Sequence, residues 1–449
     1  MDLQRLVFEN LKEWKASSHR KPLILRGARQ VGKTTLVRSL GRSYTHFIEL
    51  NLELRSDQAW FENFDHPLPL MEALLLSRNI PTEDLGKTLL FIDEIQEVPK
   101  AIALLRYFYE QLDQLHVIAA GSLLEFALKK VGSFPVGRVQ FEFLEPLNFQ
   151  EYLAAHGKYL LLEALREYPI RPTAHPSLME AFHRYILIGG MPEIVAAEVQ
   201  GLSVNDLQPL YQNLWDSYLS DLEKYAGNDT ELRVLRHVVQ SAPYLLDQRI
   251  AFQGFGNSNY RSREVGEALR MLEDARFIRM IYPTTSVELP APIDLDRKPR
   301  LQFLDTGLLH FGRGSFGDLL SLQDFHSGYR GALIPHVVTQ ELISAFPRQK
   351  PAFWVREKNQ ASAEVDLVVQ HKEALIPVEI KSGPTGKLRS LHEFMDRAPH
   401  DCAIRLHAGG CETHRIQTRK GKAFTLLDVP YYLGGLLPLA HLPLGGAQG

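Results

Sequence analysis

The chain has 449 residues, with 50 Lys and Arg against 53 Asp and Glu, so its formal net charge is −3. Hydrophobic residues make up 45% and charged residues 23%, which excludes a mainly disordered or fibrous protein and, with this length, indicates about three globular domains. Two cysteines cannot form a disulfide framework in so long a chain, and we therefore expect a cytoplasmic protein.

A phosphate-binding loop is predicted near the N-terminus. Residues 22–28 read P-L-I-L-R-G-A, a buried strand that ends in glycine, and Gly27 to Thr34 spell G-x-x-x-x-G-K-T before a helix-like segment. Gly27 and Gly32 permit the tight backbone path, while Lys33 adds a cation at the β- and γ-phosphates of ATP. Thr34 offers its hydroxyl to Mg²⁺. The predicted nucleotide-binding residues are Gly27, Ala28, Arg29, Gln30, Val31, Gly32, Lys33, Thr34 and Thr35.

Two acidic residues follow a second predicted strand. Residues 89–94 read L-L-F-I-D-E, in which Asp93 would hold Mg²⁺ and Glu94 would act as general base on the attacking water. A third strand, H-V-I-A-A-G-S, ends in Ser122. Ser122 is placed either to orient water or γ-phosphate, the role called sensor 1, or to cap the helix that follows.

These motifs resemble those of a known family. R-G-A-R-Q-V-G-K-T, L-L-F-I-D-E-I-Q, A-G-S and L-I-G-G-M-P-E (187–193) are similar to motifs of prokaryotic AAA+-like ATPases, over about residues 3–427. The resemblance implies an N-terminal P-loop domain and a C-terminal domain of restriction-endonuclease type. It also implies that Arg138, past the sensor strand, contacts the γ-phosphate, from the same or a neighbouring subunit. The alternative is a surface arginine. Action from a neighbouring subunit would make the protein a homo-oligomer.

The middle of the chain is helix-rich by pattern. Residues 231–239 and 261–275 predict amphipathic helices and residues 277–282 a strand, an order that resembles a winged helix-turn-helix. The arginines that would then meet phosphates are Arg261, Arg263 and Arg270. An internal packing module is the competing interpretation, since nearby acids offset these charges; they are Glu264, Glu267, Glu273 and Asp274. Residues 304–309, L-D-T-G-L-L, predict a strand leading into a turn.

A β-hairpin with a charged face is predicted near the C-terminal end, over residues 363–381. If its two-residue turn is Lys372–Glu373, Asp366 lies opposite Glu379, and Lys381 shares the face of Glu379. Opposed carboxylates repel unless a cation lies between them, which fits oxygen ligation of Mg²⁺. Lys381 would then position a water or stabilise developing charge.

The hairpin resembles the PD-(D/E)XK nuclease signature. By that resemblance Glu341, in V-V-T-Q-E-L-I, is the metal-binding acid that such folds carry on a preceding helix. The alternative is a plain hairpin with a salt-bridged E-x-K face. Many folds of this type, moreover, have lost cleavage and kept their affinity for DNA. Pro377 suggests an edge strand. Phe353 and Trp354, beside basic residues, suit either stacking on nucleic acid or the core of a strand.

The charge distribution is uneven along the chain. Residues 345–425 carry 14 Lys and Arg against 9 Asp and Glu, a net +5 that surrounds the hairpin, while residues 1–344 carry a net −7. This excess is weak support for DNA, since solvated surface charge explains most such imbalances. The apolar C-terminal run is broken by Pro438, His441 and Pro443, so we expect no membrane span.

The sequence thus predicts an α/β protein. Its parts are a P-loop NTPase domain with a parallel sheet (1–155), a helical and winged-helix-like region (156–290), a restriction-endonuclease-like α/β domain (291–430) and a tail (431–449). The predicted function is Mg²⁺-dependent ATP hydrolysis coupled to a DNA-binding C-terminal domain, for which DNA cleavage is a candidate activity and not a requirement. The alternative is an ATP-driven switch whose C-terminal domain binds nucleic acid or a protein without cleavage.

Overall fold

The structure is a computed structural model that describes residues 3–122, 124, 137–223, 226–246, 248–314, 328–356, 363–383, 388–437 and 441. The chain divides into two compact units. The first comprises Met1–Leu147 together with Asp274–Phe277, and the second comprises Asn148–Glu273 and Ile278–Gly449. The domain boundaries proposed from the sequence stay a prediction.

A five-stranded parallel sheet forms the centre of the first unit. Its strands are β1 (Leu23–Arg26), β2 (His46–Asn51), β3 (Thr88–Asp93), β4 (His116–Gly121) and β5 (Gln140–Phe143). The spatial order is β2-β3-β4-β1-β5, and every neighbouring pair runs parallel. All residues of β3 and β4 are buried, as expected of central strands covered on both faces. The predicted parallel α/β sheet is confirmed.

Amphipathic helices cover this sheet. They are α1 (Val7–Ala16), α2 (Lys33–Gly41), α3 (Arg55–Asn63), α4 (Pro67–Ser77) and α5 (Pro99–Gln111), with 3₁₀ turns at Thr82–Lys87 and Ile95–Glu97. In α5 the buried residues recur at helical spacing and join the core of the first unit. Proline at the first position of α4 and of α5 suits a helix start, where its missing N–H has no intrahelical partner to lose.

Helices make up the first part of the second unit. They are α6 (Phe149–Ala155), α7 (Tyr159–Arg166), α8 (His175–Ile188), α9 (Pro192–Val199), α10 (Gln208–Glu223), α11 (Asp229–Ser241) and α12 (Ser262–Asp274), with 3₁₀ turns at Ala242–Leu245 and Phe255–Asn257. The two predicted amphipathic helices are confirmed as α11 and α12. The predicted strand is β6 (Ile278–Ile281), which pairs antiparallel with β8 (Arg300–Phe303) in a two-stranded ribbon.

The turn predicted within residues 304–309 is wrong, because a helix, α13 (Thr306–Gly312), begins at Thr306. Asp305 is the N-cap of this helix, and its Oδ1 accepts a hydrogen bond from Leu308 N at 3.1 Å. Its other oxygen accepts from Gly190 N at 2.5 Å. Gly189 has φ +75°, and a Cβ there would overlap the Asp305 carboxylate. Two motifs that carry no chemistry of their own, L-I-G-G-M-P-E and L-D-T-G-L-L, therefore meet in one packing contact.

A mixed seven-stranded sheet forms the C-terminal part of the second unit. Its strands are β7 (Pro283–Thr284), β9 (Ala352–Val355), β10 (Glu364–His371), β11 (Ala374–Ile380), β12 (Cys402–His407), β13 (Glu412–Gln417) and β14 (Ala423–Pro430). The order is β13-β14-β12-β11-β10-β9-β7. The remaining elements are α14 (Gly328–Ala345), α15 (Arg389–Met395) and a 3₁₀ helix at Tyr431–Leu436.

The predicted hairpin is confirmed as β10 and β11. His371 pairs with Ala374 across the predicted two-residue turn, and Leu367 pairs with Val378 in the predicted register. The edge position inferred from Pro377 is wrong, because β11 lies between β10 and β12. The parallel ladder to β12 begins at Val378, directly after the proline, so the missing N–H costs no ladder hydrogen bond on that side.

Among the residues that the structure describes, no helix combines the length and apolarity needed to cross a membrane.

Candidate active site

The phosphate-binding loop connects β1 to α2, as its motif requires. Gly32 has φ +94° and Gln30 φ +59°, so the loop turns through left-handed backbone directly before the first residue of α2. A Cβ on Gly27 would overlap the carbonyl oxygen of Leu144, which explains the glycine at the start of the motif. The loop is fastened from outside by Arg5, whose guanidinium donates to Val31 O at 2.9 Å. The loop thus lies at the N-terminus of a helix, where its backbone N–H groups can receive an anion.

Lys33 is buried at the first position of α2. Its ammonium donates to Gly27 O at 3.0 Å and to Ala28 O at 2.7 Å, both carbonyls of its own loop. Burial lowers the pKa of Lys33 to about 8, although Glu94 and Asp93 act in the opposite direction. Within the described part of the chain, neutral carbonyls alone accept hydrogen bonds from this ammonium, and anionic oxygens could replace them.

Asp93 and Thr34 bring two oxygen groups together at the carboxyl end of β3. Thr34 Oγ1 donates to Asp93 Oδ2 at 2.6 Å, and Glu94 N donates to Asp93 Oδ1 at 3.0 Å. Burial raises the pKa of Asp93, and the hydrogen bond from Thr34 opposes that rise. Oxygen groups are the ligands that Mg²⁺ prefers, so the pair suits the predicted metal role.

Glu94 follows directly and is held at one oxygen. Its Oε2 accepts from Gln96 Nε2 at 2.6 Å, from Ser122 Oγ at 3.3 Å and from Ser122 N at 3.4 Å. Ser122, directly after β4, thus contacts Glu94, and its predicted role in orienting water or γ-phosphate stays a prediction. The segment it would cap as an N-cap lies largely outside the described residues, so that alternative stays untested.

Arg138 lies on the surface, with its side chain 45% exposed. Its Nε donates to Glu110 Oε1 at 3.0 Å, beside Arg106 of α5. Within the described residues no hydrogen bond or ion pair joins Arg138 to the phosphate loop. Contact with a γ-phosphate, from either subunit, stays a prediction.

Arg276 is a neighbour of this site that sequence reasoning missed. It belongs to Asp274–Phe277, the short segment that clusters with the first unit. Its guanidinium lies 3.4 Å from Glu145 and 5.1 Å from the centre of the Phe143 ring. The Arg276 charge also contributes to the lowered pKa of Lys33. No local motif surrounds Arg276, so only the fold reveals its position.

The C-terminal hairpin carries the second group of predicted residues. One step beyond the Leu367–Val378 pair, Asp366 Oδ2 accepts a hydrogen bond from Ile380 N at 2.8 Å. Glu379 Oε1 accepts from Lys381 Nζ at 2.6 Å, whereas its Oε2 is buried and accepts no hydrogen bond within the described residues. Burial raises the pKa of Glu379 to about 7, and the Asp366 charge adds to that rise. The structure thus places Asp366, Glu379 and Lys381 in one cluster.

Two arginines that sequence reasoning missed contact the same acidic face. Arg300, on β8, has Nη1 3.8 Å from Asp366 Oδ1 and also bonds to Glu364. Arg249 forms a β-bridge with Arg300 and bonds to the other oxygen of Glu364. Arg300 opposes the effect of burial on the pKa of Asp366, which burial raises. Both arginines are far from the hairpin in sequence, and no spacing signal connects them to it.

Glu341 lies on α14 and is buried. Its oxygens accept from Phe149 N, both at 3.1 Å, and Oε1 also accepts from Tyr185 OH at 2.7 Å. Burial raises the pKa of Glu341 to about 7. Within the described residues no hydrogen bond joins Glu341 to Asp366 or Glu379. Its predicted role as a metal ligand stays a prediction, and its observed role is to fasten the start of α6.

Phe353 and Trp354 belong to the core, not to a nucleic-acid surface. Both side chains have no exposed area, and Trp354 Nε1 donates to Thr285 O at 3.2 Å. The ring of Phe353 lies beneath the guanidinium of Arg300, at 4.8 Å. Base stacking through these two aromatics is therefore wrong, because a buried ring offers no face to a base.

The arginines of α12 have local acidic partners. Arg263 Nε bonds to Glu267 Oε1 at 2.9 Å, and the backbone N of Arg261 donates to Glu264 Oε2 at 2.9 Å. These contacts agree with the packing interpretation, in which acids offset the arginines. Neither contact tests the winged-helix interpretation, which stays a prediction.

No group of three or more His, Cys, Asp and Glu side chains in the described ranges has the geometry to hold a metal ion. Within the described residues, neither acidic site therefore contains such a group. Any cation bound there would need oxygens from a substrate or from water to complete its ligands.

Comparison with known protein families agrees with the first site. A model described as an AAA domain matches residues 19–153, the range that contains the phosphate loop, Asp93, Glu94 and Ser122. Two models described as domains of unknown function, DUF8612 and DUF4143, match residues 179–316 and 330–432. Residues 19–153 are thus similar to an AAA-type P-loop ATPase domain. A search of curated proteins gave no match.

Two solved structures are similar to this chain at low identity. The Walker-type ATPase of Pyrococcus abyssi is 16% identical, with 70% of this chain and 96% of that chain covered and a TM-score of 0.45. A Signal Transduction ATPase with Numerous Domains protein with a tetratricopeptide repeat sensor, from Pyrococcus horikoshii, is also 16% identical. That match covers 75% of this chain and 45% of that chain, with a TM-score of 0.27.

Proposed function

We propose that the protein is a Mg²⁺-dependent ATPase and that ATP is its substrate. The observation that carries this proposal is the convergence of four side chains at one edge of the parallel sheet. Lys33 and Thr34 come from the loop after β1, and Asp93 and Glu94 from the end of β3. The match of this region to an AAA domain supports it.

The chain's own groups account for binding and hydrolysis. Phosphate oxygens would replace Gly27 O and Ala28 O as acceptors from Lys33 Nζ. Glu94, held at Oε2 by Ser122 and Gln96, would take a proton from water at Oε1. The water oxygen then bonds to the γ-phosphorus while the bond from γ-phosphorus to the bridging β-γ oxygen breaks. The products are ADP and inorganic phosphate.

The residues present fit a magnesium ion. Thr34 and Asp93 offer oxygens only, and Thr34 Oγ1 already lies 2.6 Å from Asp93 Oδ2. Burial makes the Asp93 charge unfavourable, and a bound cation would offset that cost. When bound, Mg²⁺ would neutralise part of the phosphate charge.

Phosphate release tests this proposal. Wild-type protein with ATP should release phosphate in Mg²⁺ and not in excess EDTA. Lys33→Ala should lose nucleotide binding, while Lys158→Ala, a substitution outside the first unit, should retain both binding and turnover. Equal hydrolysis with and without Mg²⁺ would contradict the proposal.

We also propose that Arg138 contacts the γ-phosphate of a neighbouring subunit, which would make the active protein a homo-oligomer. The exposure of Arg138 and its ion pair with an exposed acid, Glu110, leave it able to change partners at little cost. Mixing Arg138→Ala with Lys33→Ala tests this. Restored hydrolysis in the mixture would support contact between subunits, whereas additive loss would contradict it.

For the second unit we propose a restriction-endonuclease-like domain that binds DNA. The register of β10 and β11, the placement of Asp366, Glu379 and Lys381, and the net +5 of residues 345–425 support this proposal. Glu379 Oε2, buried with no hydrogen bond in the described residues, is a fitting ligand for a cation. Asp366 and Glu379 would hold that ion, with Glu341 as a third ligand only if it left Phe149 and Tyr185.

One observation favours binding without cleavage. Arg300 and Lys381 already place positive charge beside Asp366 and Glu379, so a metal ion would compete with cations of the chain itself. We therefore regard an ATP-driven switch with a non-cleaving C-terminal domain as the second candidate. Its partner would be nucleic acid or a protein.

Incubation of supercoiled plasmid with Mg²⁺ or Mn²⁺ distinguishes the two candidates. Nicking that Asp366→Ala abolishes would support a nuclease. Intact plasmid with a gel shift that weakens steeply as salt rises would support binding alone. A protein that neither nicks nor shifts DNA would contradict both DNA proposals and leave the ATPase proposal unaffected.

A further inference from the structure

Gln96 contacts the proposed general base more closely than any other described side chain does. It lies two residues after Glu94, in the 3₁₀ turn Ile95–Glu97, and its Nε2 donates to Glu94 Oε2 at 2.6 Å. The two bonds from Ser122 reach the same oxygen at 3.3 and 3.4 Å. In the part of the chain that the structure describes, Glu94 Oε1 accepts no hydrogen bond. One oxygen is therefore fixed, and the other is left to act on a ligand.

The backbone at Glu94 supports this arrangement. Glu94 has φ +49° and ψ +46°, in the left-handed region that residues other than glycine seldom adopt. Strained backbone of this kind persists where the surrounding structure holds it, often at functional sites. Here the strain turns the chain sharply after β3, so that Gln96 folds back onto the carboxylate of Glu94.

Gly121 provides the space for this contact. It precedes Ser122 at the end of β4, and a Cβ at residue 121 would overlap Gln96 Oε1. A carboxylate oxygen can only accept, so the glutamine must present its Nε2 to Glu94 and its Oε1 to the backbone at Gly121. That Oε1 is buried and accepts no hydrogen bond within the described residues. An unpaired buried acceptor is unfavourable, so packing alone does not favour a glutamine here.

We propose that Gln96 is a positioning residue for ATP hydrolysis. It fixes Glu94 Oε2 so that Oε1 alone faces the attacking water. This inference rests on the proposed role of Glu94 as general base. It assigns to Gln96 the shortest of the hydrogen bonds that orient this base, to which Ser122 adds the two longer ones.

Gln96→Met tests the inference, because methionine keeps the length of the side chain and removes the amide donor. The kcat should fall about tenfold to a hundredfold, as for other small misplacements of a reacting group, while KM and the Kd for ATP change less than about threefold. Gln111→Met, at the exposed end of α5, is the matched control and should retain wild-type kinetics.

Gln96→Glu adds a signature that a merely structural role would not produce. At low pH the new carboxylic acid can donate a proton to Glu94 Oε2 and replace the lost bond. At high pH the two carboxylates repel each other. The ratio of the kcat of Gln96→Glu to that of wild type should therefore fall about tenfold between pH 5.5 and 8.5. The same ratio for Gln96→Met should stay flat.

The outcomes separate this inference from the proposed function. If Glu94→Gln abolishes hydrolysis while Gln96→Met keeps kcat within twofold of wild type, the inference is overturned and the ATPase assignment stands. Parallel pH profiles for Gln96→Glu and wild type would also overturn it. If wild type does not hydrolyse ATP, or Glu94→Gln does so at the wild-type rate, both the inference and the proposed function fail.

Discussion

Two pairs of acids at strand ends lie in different electrostatic settings. Asp93 ends β3 of the first unit and Glu94 follows it directly, whereas Asp366 and Glu379 lie on adjacent strands of the second. In the first pair the direct partners are hydroxyl, amide and backbone N–H groups. In the second pair Lys381 bonds to Glu379, and Arg300 lies beside Asp366.

This difference determines how readily each site can bind a metal ion. The first site has a buried ammonium satisfied by carbonyls and acids satisfied by neutral donors, so it can accept a polyanion together with a metal ion. In the second site the charges of the chain largely compensate each other. The free energy of metal binding there is less favourable, because the ion must displace cationic side chains that are already present.

The largest expected effect concerns Asp93. Asp93→Asn keeps the size of the side chain and a hydrogen-bonding group toward Thr34 but removes the charge that would hold Mg²⁺. We expect hydrolysis to fall about a hundredfold to a thousandfold and the Mg²⁺ concentration for half-maximal rate to rise. Titration of kcat against Mg²⁺ measures both. An unchanged Mg²⁺ dependence would place the ion elsewhere and remove the contrast between the two acid pairs.

Arg300→Ala tests whether cationic side chains of the chain itself offset the negative charge of the second pair of acids. It leaves the partly buried Glu364 and Asp366 with less positive charge, and we expect a loss of about 2–3 kcal/mol in the free energy of unfolding in EDTA. Mn²⁺ should stabilise this variant more than it stabilises the parent, with Asp93→Asn present in both to suppress binding at the first site. Arg171→Ala, which removes an exposed ion pair, should show little change. Equal Mn²⁺ effects in Arg300→Ala and the parent would show that Arg300 does not compete with a metal.

The pH dependence of ATP binding tests the buried ammonium of the first site. Burial lowers the pKa of Lys33 to about 8, so the unliganded protein carries this charge below that pH and loses it above. Affinity for ATP should therefore weaken by up to about tenfold per pH unit above 8. Equilibrium binding between pH 7 and 9.5 measures this. Lys33→Arg keeps its charge over the whole range and should show no such decline.

Glu341→Gln should give the smallest effect, and it tests the protonation of the buried Glu341 carboxyl group. Burial raises the pKa of Glu341 to about 7, so the folded state keeps a proton that the unfolded state loses above its ordinary pKa of 4.5. Wild-type stability should then fall as pH rises from about 4.5 to 7. The variant should escape this loss and gain about 1–2 kcal/mol relative to wild type between pH 5 and 8. Chemical denaturation of wild type and variant at pH 5 and at pH 8 measures this difference. Equal losses of stability in the two proteins would contradict the prediction.

The sequence predicts those parts of the molecule that local patterns determine. The phosphate loop follows from one strand, one glycine motif and one helix, and the hairpin register follows from the turn at Lys372–Glu373 and strand alternation. The hydrogen bond between Thr34 and Asp93 can also be predicted from the sequence, because the carboxyl ends of parallel strands share one edge of a sheet.

The remaining features depend on contacts that no local pattern encodes. Arg300 and Arg249 meet the hairpin only through the fold, and Glu341 bonds to the start of α6. The helix that begins at Thr306 is not evident from the sequence, because L-D-T-G-L-L also fits a strand leading into a turn. Gln96 is adjacent to the D-E motif, but its contact depends on the left-handed backbone at Glu94, which the sequence does not reveal.

Single turnover of Glu94→Gln with ATP and Mg²⁺ tests the central claim most directly. The claim is that Glu94 belongs to a hydrolytic site that Lys33 and Asp93 complete. Glu94→Gln should bind ATP with an affinity within about threefold of wild type, while the rate of phosphate formation falls about a hundredfold or more. Formation of phosphate at the wild-type rate by the bound variant would contradict the claim.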